Sequence, residues 1–214
     1  MKINSATGKQ TRNAAATKER VIQAALVEFG SRGYGGGRIA EIANTASCNI
    51  RMVYHYFGSK EGLFLAVLEH AYSGIRTAEQ SLNLARLTPR DAIEHVVDFT
   101  WDYYLENPEF LTLVNSANLH KARHLKKSKR LPEMHTGMLN MLDDVLRRGA
   151  ANGEFRTDAN ALQLAISIAA LGYYYLTNRY TMAVIFKFDP MTPDALAERR
   201  AEAKRTILAS LRPD

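Results

Sequence analysis

The stretch Asn49-Ile50-Arg51-Met52-Val53-Tyr54-His55-Tyr56-Phe57, followed by Gly58-Ser59 and Lys60-Glu61-Gly62-Leu63-Phe64, decides the reading of the fold. Asn49 is a helix N-cap by residue type, because its side-chain oxygen accepts from the free N–H groups of a first turn. Met52, Val53, Tyr56 and Phe57 follow at helical spacing. Gly58-Ser59 stops that helix, and Ser59 opens another with Glu61 in its first turn and Leu63, Phe64, Val67, Leu68 and Ala71 on one face. The helix from Asn49 to Phe57 carries no carboxylate. A short, acid-free helix with one apolar face and one open face is what a DNA-reading helix requires.

Toward the N-terminus, Val21, Ile22, Ala25, Leu26 and Phe29 predict a helix over about 17–31, with Thr17 as its cap and Gly30-Ser31-Arg32-Gly33 as its end. After Tyr34 and Gly35-Gly36-Gly37, the residues Ile39, Ile42 and Ala43 mark a short helix that ends near Ala46-Ser47. Residues 1–14 have no apolar period and read as a flexible basic arm. Residues 15–61 then form a three-helix, helix-turn-helix DNA-binding domain. Charge points the same way: residues 1–60 hold nine Lys/Arg against Glu19, Glu28 and Glu41, which accounts for the whole net charge of +6. The remaining residues balance, so attraction to a polyanion is concentrated at one end.

From 62 to 214 the pattern stays helical, with candidate helices near 60–85, 89–106, 108–120, 131–152, 158–186 and 193–211. Thr88-Pro89, Asn107-Pro108 and Thr192-Pro193 put Pro at first helical positions, and Asn152-Gly153 and Asp158 close one helix and open the next. The fold class is all-α. At 214 residues, 46% hydrophobic and 23% charged, the composition excludes a disordered or fibrous chain. Cys48 is the single cysteine, which rules out an internal disulfide; its place in a turn reads as packing. No apolar run approaches the ~18 residues of a membrane span, and no signal sequence precedes the first helix. The expectation is a cytoplasmic protein without a membrane partner.

Gly33-Tyr34, then Ile39-Ala40-Glu41-Ile42-Ala43, then Tyr54-His55-Tyr56-Phe57-Gly58-Ser59-Lys60-Glu61-Gly62-Leu63 resemble the N-terminal signature of the TetR family of bacterial one-component transcriptional regulators. The match covers about 45 residues in order and spacing. The resemblance implies a homodimer that binds double-stranded operator DNA through this domain, while residues 62–214 bind a small-molecule effector and dimerise. It implies that Asn49, Ile50, Arg51 and Met52 open the recognition helix, with Arg51 and Met52 placed to read base edges. Tyr54 and His55 match phosphate-contacting positions, and Lys60 matches a backbone-gripping lysine. Tyr56 is read either as core or as a phosphate contact. The sequence departs from the family at Gly37-Arg38, where a hydroxyl usually caps the second helix and touches phosphate; Arg38 supplies charge in its place. The usual turn Gly-Val is Ser47-Cys48, so the operator sequence is not inherited.

An effector site needs an apolar cavity with a few polar groups. Trp101, Tyr104, Phe110, Asn115, His120, Met138 and Tyr175 are its candidate lining. Dimerisation is expected through the last two helices, those predicted at 158–186 and 193–211. His120 and His124 stand four residues apart with His135 nearby, but Lys121, Arg123, Lys126, Lys127, Lys129 and Arg130 surround them and repel a cation, so an exposed linker is read there and no metal site, with contact to DNA or an anionic ligand as the alternative role of the run. No catalytic Ser/His/Asp or Cys/His set, tuned carboxylate pair or phosphate-binding loop is present, so the chain reads as a regulator, not an enzyme, with no cofactor beyond an unknown effector. Two rivals are a small helical enzyme and a sequence-independent, nucleoid-like DNA binder. Repression is the expected sign, with activation as the alternative.

Overall fold

A computed structural model of the chain describes the backbone of residues 5–213 and the side chains of residues 14–213. Among these residues every regular element is helical: α1 Ser5–Gly36, α2 Ile39–Thr45, α3 Ile50–Phe57, α4 Lys60–Gln80, α5 Pro89–Glu106, α6 Pro108–Leu119, α7 Arg130–Met134, α8 Thr136–Ala151, α9 Ala161–Thr177, α10 Arg179–Phe186 and α11 Pro193–Ser210. Short 3-10 turns occupy Leu84–Arg86 and Leu125–Lys127. The expected all-α class is found.

Capping residues set many of the boundaries. The Asn49 side chain accepts from Arg51 N at 2.8 Å and starts α3. Ser59 Oγ accepts from Gly62 N at 3.0 Å and starts α4, and Thr88 and Thr192 cap α5 and α11 at 3.1 and 3.3 Å. In each case a side-chain oxygen replaces a missing intrahelical acceptor. α9 is capped by Asn160, which accepts from Gln163 N at 3.0 Å, rather than opening at Asp158.

Three elements differ from the sequence reading. α1 begins at Ser5, so residues 5–14, expected as arm, are helical backbone. Ala14-Ala15-Ala16 and the preceding Lys9, Gln10 and Arg12 favour helix without needing an apolar face, although Thr7, Gly8, Thr11 and Asn13 among them do not. Residues 1–4 of the expected arm lie outside the described residues. Thr17 is therefore internal to α1, buried, and accepts from Arg20 Nη2 at 3.2 Å. The helix expected over 131–152 is broken at His135 into α7 and α8, and that over 158–186 at Asn178 into α9 and α10. At the second break Thr177 Oγ1 donates to Tyr173 O at 2.6 Å and Asn178 Nδ2 to Tyr174 O at 2.9 Å. These side chains compete with the main chain for the carbonyls that a continuous helix would use.

The described residues form two compact units, each built from two stretches of the chain. The first unit joins the chain up to Tyr72 with Pro108–Leu131, and in it α6 packs against α1, which in turn packs on α2 and α3. Gly30 makes this possible: a Cβ there would lie 2.4 Å from Glu109 Cβ on α6. α1 breaks at Gly33, with φ 64 and ψ 179, a conformation that favours glycine. Tyr34 N then donates to Ser116 Oγ at 2.8 Å. At the centre, fully buried Phe64 stands edge-on to Phe29 at 5.2 Å and tilted against Tyr34 at 5.0 Å.

The second unit comprises Ser73–Asn107 and the chain from Pro132 onward. Its core joins Ile93, Val96 and Val97 of α5, Leu142, Val145 and Leu146 of α8, Leu164 and Ile168 of α9, and Ala203 and Ile207 of α11. α11 is pinned to α5 by Arg200, which donates to Asp98 at 2.6 Å and to both oxygens of Asp102 at 2.9 Å, while Lys204 donates to Asp98 at 3.0 Å. Burial pushes the Asp98 carboxyl up, but the Arg200 and Lys204 hydrogen bonds outweigh it and hold it below its ordinary value.

Candidate nucleic-acid interface and buried cavity

α2 and α3 are joined by a tight turn at Ala46-Ser47-Cys48. Ser47 takes φ 50, and Cys48 N donates to Ala43 O while Ser47 N donates to Asn44 O, both at 3.0 Å. This is a Schellman cap with serine where glycine is preferred. Arg20 Nε reaches across from α1 to Ala46 O at 3.2 Å and fixes the turn. Ser47→Gly is expected to raise unfolding stability by about 0.5–1 kcal/mol, because a left-handed conformation strains any residue with a Cβ. Urea unfolding at unchanged m-value checks this, and a lowered midpoint would count against it.

The turn aims α3. Val53 is buried beneath it, while Asn49, Ile50, Arg51, Tyr54 and His55 are exposed, and Met52 and Tyr56 are half-buried. Ile50 and Tyr54, and Arg51 and His55, are each four residues apart, so the open side chains form one stripe. Tyr56 lies edge-on between His55 at 5.4 Å and Phe57 at 6.4 Å. Arg38 is exposed at the N-cap position of α2 but makes no side-chain cap; its N–H donates instead to Glu28 Oε1 at 3.0 Å. Lys60 opens α4 with Nζ 3.4 Å from Gly35 O and 5.0 Å from the centre of the Tyr34 ring. The nine residues expected at a DNA surface thus all lie in the first unit, seven of them on α3 and its cap.

Tyr34, expected only as part of the signature, and His124, expected in an exposed linker, anchor this unit together. His124 is fully buried, 4.4 Å from the Tyr34 ring and 5.1 Å from Phe64. The expected exposed linker is therefore corrected at this residue. Residues 120–124 form turns, not a helix, so the two imidazoles do not share a helix face. Nδ1 stands 3.3 Å from Glu61 Oε1 outside hydrogen-bonding geometry, and neither ring nitrogen has a hydrogen-bond partner among the described residues. Burial holds the imidazole below its ordinary pKa, against the opposing pull of Glu61. Among the described residues no three His, Cys, Asp or Glu side chains gather as a metal would need.

The seven candidate effector residues divide between the units. Phe110, Asn115 and His120 lie in the first, where Phe110 is buried edge-on to Tyr72 at 5.3 Å, Asn115 is exposed and His120 packs on Tyr34 at 5.2 Å. Trp101, Tyr104, Met138 and Tyr175 lie in the second and are all buried. Trp101 fills the space beside Tyr175, 5.8 Å between rings, and Tyr175 Oη donates to Pro190 O at 2.9 Å. Tyr104 and Met138 line a cavity of about 50 Å³, together with Ile75, Arg76, Glu79, Thr100 and Ile168.

Glu79 is the unexpected member. It is 3% exposed, with Arg76 Nη1 2.8 Å from Oε2 but off the line of a hydrogen bond, so Oε2 and Arg76 Nε have no hydrogen-bond partner among the described residues. Its position four residues after buried Ile75 put a carboxylate in the apolar stripe of α4, a signal present in the sequence. Burial pushes the Glu79 carboxyl from its ordinary 4.5 up to about 7, with Arg76 pulling the other way. The folded state therefore holds this proton more tightly than the unfolded state, and its contribution to stability falls as pH rises from about 4.5 through 7. Wild-type stability relative to Glu79→Gln is expected to decline by roughly 3 kcal/mol between pH 4 and pH 8. Parallel pH profiles of the two proteins in denaturant unfolding would contradict this.

Large apolar side chains are exposed at Leu162, Ile166 and Tyr174 on α9 and at Tyr180, Val184, Ile185 and Phe186 on α10. α11 has no such side chains; its larger apolar residues are buried or half-buried. No helix among the described residues is long and apolar enough to cross a membrane.

Comparison with known proteins agrees with this geometry. Residues 21–67 match the family model described as "Bacterial regulatory proteins, tetR family", and residues 89–207 match that described as "Tetracyclin repressor-like, C-terminal domain". The chain is 38% identical over 197 residues to the HTH-type transcriptional repressor NicS of Pseudomonas putida, covering 92% of this chain and 90% of that protein. It is 38% identical over 105 residues to the HTH-type transcriptional repressor SCO4008 of Streptomyces coelicolor, covering 48% and 50%. The fold matches a bacterial regulatory protein in the tetR family from Rhodococcus RHA1 with a TM-score of 0.68 at 16% identity, covering 92% and 97% of the two chains.

Proposed function

The chain belongs to the TetR family of bacterial regulatory proteins, and from that premise we propose that it is a cytoplasmic repressor whose dimer binds a palindromic operator and is released by a small molecule. The observation that carries the reading is the α3 surface: an acid-free, Asn-capped helix whose open stripe presents Arg51, Tyr54 and His55, with Lys60 held beside it. Base edges are read by Arg51 and Met52 at the start of α3, and phosphates by Tyr54, His55, Lys60 and Arg38. Tyr56, half-buried between two rings, supports the helix from below.

Dimerisation uses the exposed apolar face of α9 and α10. A contiguous patch of this kind marks a protein interface, and Leu162, Ile166 and Tyr174 continue into Tyr180 and Val184. The last two helices expected for this role thus contribute unequally, with α11 serving mainly to brace α5.

The effector site is the cavity beside Glu79. At about 50 Å³ it has room for little more than a water or two, so a ligand enters by displacing Met138, whose unbranched chain rearranges easily. Glu79 Oε2 and Arg76 Nε supply an acceptor and a donor to its polar end. Effector binding then releases DNA only to the extent that it prefers the state with poorer operator fit.

A gel shift with the DNA upstream of the protein's own gene tests the reading. Retention at modest salt that is lost on Arg51→Ala supports it; no retention of any upstream duplex overturns it. Turnover of a substrate by a protein lacking residues 1–60 would favour the enzyme rival. Equal affinity for random duplex would favour the nucleoid-like one.

A further inference from the structure

The basic run from Lys121 to Arg130 is not part of the helix-turn-helix, yet it folds into the same compact unit. α6 ends in a second Schellman cap, with Ala122 N donating to Ala117 O and Lys121 N to Asn118 O, both at 2.8 Å. Lys121 and Ala122 take φ 55 and 53, a conformation that side-chain-bearing residues rarely adopt. The reversal drops His124 into the core against Tyr34 and Phe64. Beyond it, Lys127 Nζ donates to Glu61 Oε2 at 2.9 Å and Ser128 Oγ to Glu69 Oε1 at 2.6 Å. The loop is strapped along the first turns of α4, the helix that begins with Lys60.

One ring joins the two sets of charges. Tyr34 carries Lys60 Nζ 5.0 Å from its centre and the Arg123 guanidinium at 5.9 Å. Lys127 and Arg130 are engaged by Glu61 and Glu69. Lys121, Arg123, Lys126 and Lys129 are exposed and have no carboxylate within ion-pair distance among the described residues. A fixed loop holding four exposed cations outside any ion pair, one of them, Arg123, on the same ring as Lys60, is an electrostatic surface for the same polyanion.

We propose that Lys121, Arg123, Lys126 and Lys129 form a second phosphate-contact surface, which holds the duplex backbone at the edge of the half-site read by α3. The proposal rests on α3 reading DNA, and it adds a contact outside the helix-turn-helix. Its signature is salt dependence, because each phosphate neutralised releases counterions and contributes about 0.9 to the slope of log K against log salt concentration.

The test uses the full-length protein and a duplex that it selects from a random pool, flanked by ten base pairs on each side. The variant carries Lys121→Gln, Arg123→Gln, Lys126→Gln and Lys129→Gln. Its slope is expected to be shallower than the wild type's by about 2 or more per dimer, with at least tenfold weaker binding at low salt and an unchanged melting temperature. An unchanged slope overturns the proposal, whether affinity is retained or falls. If the wild type selects no sequence at all, the reading of α3 fails and the proposal with it. If it selects one and Arg51→Ala loses it while the four-site variant keeps the wild-type slope, only the loop proposal fails.

Discussion

Arg51→Ala is expected to weaken binding to a selected operator duplex by about 10- to 100-fold, while leaving affinity for an unrelated duplex nearly unchanged. A good bidentate contact from arginine to a guanine edge discriminates by roughly 1–3 kcal/mol. Arg51 suits that role because its backbone is fixed by the Asn49 cap at 2.8 Å and its side chain is exposed on the open stripe of α3. The substitution removes no buried contact, so unfolding stability should move by no more than about 0.5 kcal/mol. Lys60→Ala should behave differently: affinity falls for both duplexes, and the salt slope drops by about 1 per site. Anisotropy titrations over a range of salt separate the two. Equal losses on both duplexes for Arg51→Ala would show that this side chain grips backbone rather than reading bases.

Phe64→Ala is expected to cost 3–5 kcal/mol of unfolding free energy, the range for truncating a buried aromatic residue. Phe64 is fully buried and touches the rings that build the first unit: Phe29 of α1, Tyr34 just past the Gly33 break, and His124 of the loop after α6. Removing it leaves a cavity bounded by three rings from three segments, each held by other contacts that resist collapse. Operator binding should fall with the folded fraction of this unit, since α3 and Lys60 are positioned by the same core. Phe64→Leu, which retains much of the volume, should lose less than half as much. A loss below about 1 kcal/mol for the alanine variant, measured by urea unfolding, would show that the ring cluster is not what holds the unit together.

Local signals carried the sequence reading a long way. Asn49, Ser59, Thr88 and Thr192 cap helices where their residue types say they should, and Gly58 ends α3 with φ 74. These motifs act within four residues, so the sequence displays them directly. The helix break at Asn178 is less visible, because no Gly or Pro stands beside it and the competing hydrogen bonds come from Thr177 and Asn178, residue types that also occur inside helices; at His135 the signals are Pro132 and Gly137 on either side, which the apolar periodicity runs across. The helical start at Ser5 is not legible in the sequence because residues 5–14 carry no apolar periodicity, the signal by which helices are found.

Long-range packing was the part that one sequence could not show. The candidate DNA-facing residues, Arg38 to Lys60, are close together in the chain and fold into one unit, so a single sequence displays them side by side. The effector candidates were drawn from separate helices by residue type, and α6 turned out to pack with α1 through Gly30. That places Phe110, Asn115 and His120 in a different unit from Trp101, Tyr104, Met138 and Tyr175. Glu79 was passed over for the opposite reason. Its helical phase puts it among Leu68, Ala71 and Ile75, but a carboxylate in an apolar stripe is recognisable as buried only once α5, α8 and α9 close over it.

The most direct measurement is the sequence that the wild-type protein enriches from a pool of random duplexes. Two α3 helices related by the twofold axis of a dimer enter successive major grooves on one side of the duplex, about 34 Å apart. The enriched DNA is therefore expected to be an inverted repeat with half-site centres about one helical turn, or a whole multiple of one, apart. The preference at one position of each half-site should vanish with Arg51→Ala. Enrichment of no sequence, or of one that Arg51→Ala selects equally well, would contradict the assignment of α3 as the reading helix.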